Sequence, residues 1–487
     1  MNLRELMQDD GMPPIGVDGL TLDSRVVQTG DLFVGLADDA DTRSKHVTEA
    51  FSKGAVAAMV VGPVEEATAL PIVVAHDLRD RLGDIADRFF GEPSSSFKLL
   101  AVTGTNGKSS IAHLGAQALN QLSVSAAMIG TLGSGRPGGL KPAVLTTPDV
   151  LTLHSEFAAL RACGVEVVHM EASSHGIDQN RLQGARIDAA VFTNLTQDHL
   201  DYHKDMRTYF KAKARLFSEL LSANGTAVLN FDSSEFEALK SICISRGVSV
   251  ISFGSSNGAD IQLLDVKPSP TFQEIRIKVF KAEYQFVLKL LGKFQILNVL
   301  AALGIVVASQ KDSDVEFWVD QLRNLKGVPG RLERVTASNS LAQVIVDYAH
   351  TPDALRNALV ALRQHTSKRL ICVFGAGGER DIGKRKIMGQ VADELADLCL
   401  ITDDNPRNEN PKRIRDQILE GCPNGESIAC RGEAIKLGIS KLQSGDLLLI
   451  AGKGHESTQE INGQKFEFSD VEVVKNLIKN AEGLNHE

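Results

Sequence analysis

Residues 103–110 read TGTNGKSS, an order of residue types suited to holding phosphate. Gly104 and Gly107 leave the backbone free to close its N–H groups around anionic oxygens, and a helix starting at the end of the loop would add the positive end of its dipole. Lys108 can reach the terminal phosphates of a nucleotide, and Ser109 beside it can ligate Mg2+. The spacing departs from the commoner GxxxxGK[ST] pattern, because Val102 occupies the place of the first glycine. A plainer reading is a glycine turn with a solvent lysine. It fits poorly with the apolar, strand-like run at 99–102 before the loop and the helix-compatible run at 111–122 after it.

Two further positions supply what a nucleotide-metal site lacks. Glu171 follows the apolar run 165–170, and His199 lies in TNLTQDHLDYH at 193–203, just past the run 189–193. A carboxylate and a neutral imidazole converging with Ser109 would hold Mg2+ between two phosphates. Either residue alone is more often structural; behind a phosphate loop the pair reads as a site.

These residues need strands to carry them. Between about 97 and 331, strand-like runs at 99–102, 165–170, 189–193 and 227–230 alternate with segments long enough for helices, the rhythm of a mostly parallel sheet whose site lies at the carboxyl ends of its strands. Punctuation at 327–330 (GVPG) closes this segment. The rhythm then restarts with 344–346, 370–374, 398–401 and 447–450, each ending in a polar, often glycine-rich loop, which predicts a second doubly wound domain. Ahead of the linker-like GEPSSS at 91–96, a mixed α/β segment forms a smaller domain. The expected class is therefore α/β in three domains, 1–95, 96–331 and 332–487. A length of 487 residues agrees with that at about 150 residues per domain.

Composition narrows the partners. A net charge of −9 offers no general attraction to nucleic acid or an anionic membrane, so phosphate must be held locally. Cys163, Cys243, Cys372, Cys399, Cys422 and Cys430 are scattered without metal-type spacing, which favours reduced thiols and a cytoplasmic location. Residues 1–11 are polar and acidic, unlike a signal peptide, and the longest apolar run, 299–308, is too short to span a bilayer and reads as a buried helix.

GTNGKSS, EASSHGIDQNRL, TNLTQDHLDYH, DYAHTPDAL, GAGGERDIGKR, DDNPR and GKGHE, in this order along most of the chain, resemble the Mur ligase family of peptidoglycan enzymes. The resemblance implies an N-terminal domain for a UDP-sugar, a central P-loop-type ATPase domain and a C-terminal Rossmann-like domain that brings an amino acid. It implies ATP and Mg2+ as cofactors and an acyl phosphate made from a substrate carboxylate and the γ-phosphate of ATP. ATP would lie against Gly104, Thr105, Asn106, Gly107, Lys108, Ser109 and Ser110. Metal ligation would fall to Ser109, Glu171, His199 and Lys213, and Lys108, Lys213 and His199 would be catalytic. Lys213, in YFKAKARLF at 209–217, matches the lysine that the family carries as a carbamate (N6-carboxylysine), a change that turns a cation into an oxygen ligand. Without the family it would be a solvated lysine beside Lys211 and Arg215.

The best match within the family is to the members that add meso-diaminopimelate to UDP-N-acetylmuramoyl-L-alanyl-D-glutamate. Leu22, Ser24, Thr146, Thr147, Ser173, Gln179 and Arg181 match positions contacting that nucleotide substrate. One stretch departs: GLADDAD at 35–41 is acidic where the family usually has a glycine-centred loop near the UDP. Arg407, in the Asp404, Asn405, Pro406, Arg407 motif, can grip the distal carboxylate that distinguishes diaminopimelate from lysine through two parallel hydrogen bonds. Arg380 is the matching second arginine, and Gly452 with Glu456 would accept the distal ammonium. Asp347, Tyr348, His350 and Asp353 resemble family residues that face the nucleotide from the C-terminal domain. The competing readings are the lysine-adding relative, disfavoured by Arg407, a folylpolyglutamate-synthase-like ligase, which lacks the DNPR arrangement, and a nucleotide-binding protein that has lost ligation. The expected protein is a cytoplasmic monomer.

Overall fold

A computed structural model describes residues 1–65, 70–310, 315–336 and 342–483. The chain forms two compact units, one of Met1–Phe253 with Ala301–Ser313, the other of Gly254–Leu300 with Asp314–Glu487.

The first unit contains two sheets. Four short parallel strands, Gly19–Thr21, Asp31–Gly35, Ala57–Val60 and Ile72–Val74, form the N-terminal one. Alternation along the chain decides what each face buries: Leu32 and Val34 pack with Leu78, Leu82 and Ile85 of the helix Leu78–Phe89, while Phe33 packs with Val47 and Ala50 of the helix Ala40–Ser52. The acidic stretch 35–41 is consumed by this architecture. Asp39 caps the helix by accepting from Thr42 N at 2.8 Å, Asp38 pairs with Arg79 at 2.9 Å, and Arg43 Nη1 donates to the carbonyls of Ala37 and Asp38.

In the second sheet of this unit the strand order is Ser249–Gly254, Leu221–Asn230, Ile187–Phe192, Lys98–Thr103, Val167–Glu171, Ala126–Gly130, Gly133–Gly135. All neighbours are parallel except the last pair. The strand that feeds the phosphate loop is therefore flanked by the two that carry Glu171 and the 193–203 segment. Both faces are covered, which is why these strands read as continuous apolar runs.

The second unit has an antiparallel set, Ile261–Pro268, Gln273–Val279 and Ala282–Leu288, and a six-stranded sheet. The latter runs Glu333–Arg334, Gln343–Asp347, Leu447–Ala451, Leu370–Phe374, Leu398–Ile401, Glu426–Ser427, parallel apart from its first member. Helices Pro352–Arg363, Gly383–Leu395 and Pro411–Leu419 bury Leu355, Leu359, Met388, Val391 and Ile418 on one face, and Arg431–Ser440 with Asp470–Gly483 bury Ile435 and Val474 on the other. This is the doubly wound arrangement expected. The final helix is locked by Arg431 and Asp470, both fully buried, through two 2.7 Å hydrogen bonds. Residues 299–308 lie in the helix Lys293–Ser309 with Val299, Leu300 and Ile305 fully buried, and among the described residues no helix is long and apolar enough to cross a membrane.

Candidate active site

The phosphate loop leaves the strand Lys98–Thr103 and enters the helix Lys108–Asn120. Gly104 has φ +138° and a Cβ there would collide with Thr193 Oγ1, so only glycine lets the loop press against the neighbouring strand end. Thr193 Oγ1 donates to Asn106 O at 2.7 Å, Asn106 N donates to Asn194 Oδ1 at 2.9 Å, and Thr105 N donates to Asn194 O at 2.9 Å. The loop is thus fixed by the segment that also bears His199. Ser109 and Ser110 are buried in the first turn of the helix.

Two lysine amines converge on one carbonyl. Lys108 Nζ donates to Gly104 O at 3.0 Å and to Thr105 O at 2.8 Å, and Lys213 Nζ donates to the same Gly104 O at 2.8 Å. Lys213 is 1% exposed and has no ion-pair partner among the described residues; burial first, and the Lys108 charge second, hold its pKa well below the usual lysine value. A shift in that direction favours the neutral, nucleophilic form of the amine. It sits in the helix Met206–Arg215, which passes at once into a π-helical turn, Leu216–Leu220.

Glu171 closes the strand Val167–Glu171 at 1% exposure, in register with Val102 one strand away. Its Oε1 accepts from Thr131 N at 2.8 Å and its Oε2 from Thr131 Oγ1 at 3.3 Å. A Cβ at Gly130 would collide with Oε1, so that glycine lets the carboxylate lie flat. His199 has φ +53° and rests 3.4 Å from Asp198; burial lowers its pKa against the opposing pull of that carboxylate, which keeps the imidazole neutral and able to ligate. Among the described residues no three His, Cys, Asp or Glu side chains come together as a metal site. The donors present, one buried carboxylate, a helix-start serine, a neutral imidazole and an amine open to conversion into an oxygen ligand, suit a Mg2+ that takes its remaining ligands from phosphates and water.

Of the positions matched to the muramoyl substrate, Thr146, Thr147, Ser173, Gln179 and Arg181 form one network beside Glu171. Thr147 Oγ1 lies 2.7 Å from Glu171 O and 3.0 Å from Ser173 Oγ, and Thr146 Oγ1 lies 2.9 Å from Thr131 Oγ1. Arg181 Nη1 donates to Thr147 O at 2.8 Å and Nη2 to Gln179 Oε1 at 2.5 Å. No carboxylate pairs with Arg181 among the described residues, and burial is the largest influence on its guanidinium. Leu22 and Phe90 line a cleft of about 340 Å³ together with Asp149, Thr152 and Glu156. Ser24 is turned away from it and donates to Glu49 Oε2 at 2.6 Å.

In the second unit, the residues matched to the amino acid all follow neighbouring strand ends. Arg380 comes after Leu370–Phe374, the 404–407 motif after Leu398–Ile401, and Gly452 and Glu456 after Leu447–Ala451. Arg407 takes φ +52°, held by Arg407 N donating to Glu460 O at 3.1 Å and Asn462 N donating to Arg407 O at 2.7 Å. Its Nη1 donates to Gly378 O at 2.6 Å and its Nε lies 3.3 Å from Glu460 Oε2. A Cβ at Gly377 would stand 3.1 Å from Arg407 Nη1 and 3.9 Å from Arg380 Cγ, so both arginines border the same glycine. A Cβ at Gly378 would collide with Pro406 O, which keeps the two loops backbone to backbone. Asn405 Nδ2 donates to Glu456 Oε2 at 3.0 Å, and the fully buried Lys453 Nζ donates to both Asn405 Oδ1 and Glu456 Oε2 at 3.0 Å. Asp404 Oδ2, buried against Gly452, has no hydrogen-bond partner among the described residues.

Sequence reading missed Thr131, which no motif contains, and Lys453 and Glu460, although Lys453 sits inside GKGHE. Near Tyr348, Asp347 accepts from Leu332 N at 2.7 Å and Ala349 N at 2.8 Å, and His350 Nδ1 is 2.7 Å from Tyr348 O.

One α/β unit thus carries a strand-end glycine loop entering a helix and the other a charged cluster at its strand ends, and the chain belongs to the Mur ligase family. Residues 102–306 match the Mur ligase middle domain, and 330–454 match the Mur ligase, glutamate ligase domain. It is 40% identical over 463 residues, 95% of either chain, to the UDP-N-acetylmuramoyl-L-alanyl-D-glutamate–2,6-diaminopimelate ligase of Chelativorans sp. (strain BNC1). It is 41% identical over 461 residues, 93% of this chain and 94% of the relative, to the protein of the same name from Caulobacter vibrioides. A solved structure of a ligase of that name matches with TM-score 0.73 at 34% identity, covering 99% of both chains. The folylpolyglutamate synthase of Mycobacterium tuberculosis complexed with ADP matches with TM-score 0.63 at 19% identity, over 77% of this chain and 91% of the other, a likeness of fold alone.

Proposed function

We propose that this chain is an ATP-dependent ligase that joins meso-diaminopimelate to the D-glutamate carboxylate of UDP-N-acetylmuramoyl-L-alanyl-D-glutamate in peptidoglycan precursor synthesis. One observation carries the choice of amino acid: Arg407 and Arg380 border one glycine beside the Asn405, Lys453 and Glu456 network, an arrangement of opposite charges that matches the zwitterionic far end of diaminopimelate and not the lone ammonium of lysine.

The reaction runs in two displacements. The substrate carboxylate attacks the γ-phosphorus of ATP, the bond to ADP breaks, and an acyl phosphate forms. The amine then attacks the acyl carbon, phosphate leaves, and the amine proton passes to solvent. Positioning and charge neutralisation suffice for both, and no nucleophilic side chain is needed. The amides of 104–107 and Lys108 cradle the phosphates. Arg181, half-buried and without a paired carboxylate among the described residues, takes the substrate's, with Thr146, Thr147, Ser173 and Gln179 around the dipeptide and Leu22 and Ser24 toward the uridine. Ser109, Glu171, His199 and a carbamylated Lys213 would hold Mg2+, which draws charge from the phosphate oxygens when bound. The carbamate forms as the neutral Lys213 amine attacks CO2, one C–O π bond becomes an oxyanion, and the nitrogen gives a proton to water. Asp404, Asn405, Pro406 and Gly452 complete the amino-acid pocket. Domains 1–95, 96–331 and 332–487 would serve the UDP-sugar, ATP and the amino acid in a cytoplasmic monomer.

The test is phosphate release from ATP by purified protein with Mg2+ and the UDP-dipeptide, varying only the amino acid. Release with diaminopimelate and little with lysine or none supports the reading; equal release with lysine removes the specificity, and no release with any amino acid removes the ligase.

A further inference from the structure

Tyr209 belongs to none of the residue sets assigned above, yet it touches three of them. It is 1% exposed and lies four residues before Lys213 in the helix Met206–Arg215, so both side chains leave the same face. Lys213 Nζ lies over its ring, 4.4 Å from the centroid. Its hydroxyl is 3.2 Å from Thr105 Oγ1 in the phosphate loop, and Thr105 Oγ1 in turn is 3.2 Å from Thr196 O and accepts from Thr196 N at 3.0 Å. The ring edge also meets His199, with centroids 6.2 Å apart. A buried tyrosine normally needs one partner for its hydroxyl and apolar contact for its ring. Here the hydroxyl partner is a phosphate-loop side chain, and the ring meets the His203 imidazole, with centroids 5.1 Å apart, as well as an amine that has no carboxylate partner among the described residues.

We propose that Tyr209 is a positioning residue of the phosphate site: its ring seats the Lys213 side chain, and its hydroxyl ties that seat to the loop through Thr105. The role rests on the ligase reading given above. A lysine has four rotatable bonds, and only a walled slot keeps its nitrogen on Gly104 O instead of letting it sweep through the nucleotide site. The ring is that wall. The hydroxyl makes the wall move with the loop, so that the groups contributed by 104–109 and by Lys213 keep one geometry.

The two functions separate by substitution. Tyr209→Phe keeps the wall and cuts the tie; Tyr209→Leu removes both. In full-length protein incubated with 13C-bicarbonate, the carbamate carbon is read by 13C NMR, alongside steady-state ligation. Wild type and Tyr209→Phe are expected to show the carbamate signal, with KM for ATP raised about 5-fold in the Phe variant, the loss of one hydrogen bond. Tyr209→Leu is expected to lose the signal and about 100-fold in kcat, as when one charge-positioning contact is lost. A folded Leu variant that keeps signal and kcat overturns the proposal, as does a wild type with no signal. If the Leu variant does not fold, Tyr209→Phe decides: an unchanged KM for ATP overturns the tie. Should wild type ligate nothing, the ligase reading falls instead, and the NMR comparison of wild type with the variants still decides the seat.

Discussion

The two sites handle charge in opposite ways. In the first unit, the half-buried Arg181 has no carboxylate partner among the described residues, and the buried Lys213, likewise without one, is pushed toward its neutral form. In the second, Arg407 already has Glu460 at 3.3 Å, Lys453 has Glu456 at 3.0 Å and Arg385 has Glu409 at 2.9 Å. An unpaired guanidinium suits a ligand that arrives as an anion, such as a carboxylate, because the ligand supplies the missing charge. A pocket balanced within itself suits a zwitterion, which brings both signs and adds neither. The contrast extends beneath the sites. Among the described residues, His169 is fully buried with neither ring nitrogen hydrogen-bonded, and His113, on the phosphate helix, has no partner for Nδ1. Buried His365 in the second unit is hydrogen-bonded at both ring nitrogens, to Gly292 N at 3.0 Å and Ser269 O at 2.6 Å.

The comparison breaks most sharply at Lys108. Lys108→Ala is expected to lose about 1,000-fold or more in ligation while UDP-substrate affinity, measured by calorimetry, is retained; near-normal turnover would mean that the cations of the first unit do not neutralise phosphate. Arg407→Ala comes next, with kcat/KM for diaminopimelate down about 100-fold and KM for ATP unchanged. A variant that still prefers diaminopimelate over lysine would show that the balanced pocket does not select.

Acid should weaken the first unit through two buried histidines. Burial depresses His169 to about 3 and His113 to about 4, against 6.5 for the free side chain. Between those values the unfolded chain binds protons that the folded one refuses, so stability is full above pH 6.5 and falls as pH drops below it. The loss is about 2 kcal/mol per histidine by pH 5. Urea titrations at pH 7 and 5 check this: His169→Leu should shrink the difference by about 2 kcal/mol, leaving the His113 share, and an unchanged difference would remove the account. The smallest effect sharpens the reading of the acidic stretch. Asp39→Ala should lower stability slightly as a lost helix cap and leave KM for the UDP-dipeptide alone; a shifted KM would place that loop against substrate.

Much of this was readable from residue order. Apolar runs gave the strands Leu370–Phe374 and Leu398–Ile401 residue for residue, because strands buried on both faces carry no polar interruption to blur their ends. The run at 165–170 was placed two residues early, since Val165 is buried in the approach to a strand that begins at Val167. The antiparallel set went unread. In Gln273–Val279 the charged residues Glu274 and Arg276 alternate with buried Ile275 and Ile277, a period-two signal that a search for apolar runs passes over. At the sites, motif spacing named the residues but not their neighbours' service: that Thr131 holds Glu171, or that a hairpin at Thr458–Glu467 clips Arg407 into a left-handed turn, follows from long-range packing. The acidic 35–41 looked foreign because its partners, Arg79 and Arg43, are helix residues whose faces are set only once the sheet exists.

Gly104 O accepts from two amines at once, and that makes the carbonyl a shared berth. A ligand that drew Lys108 away would leave this oxygen to Lys213 alone, so the two amines are coupled through a single backbone acceptor.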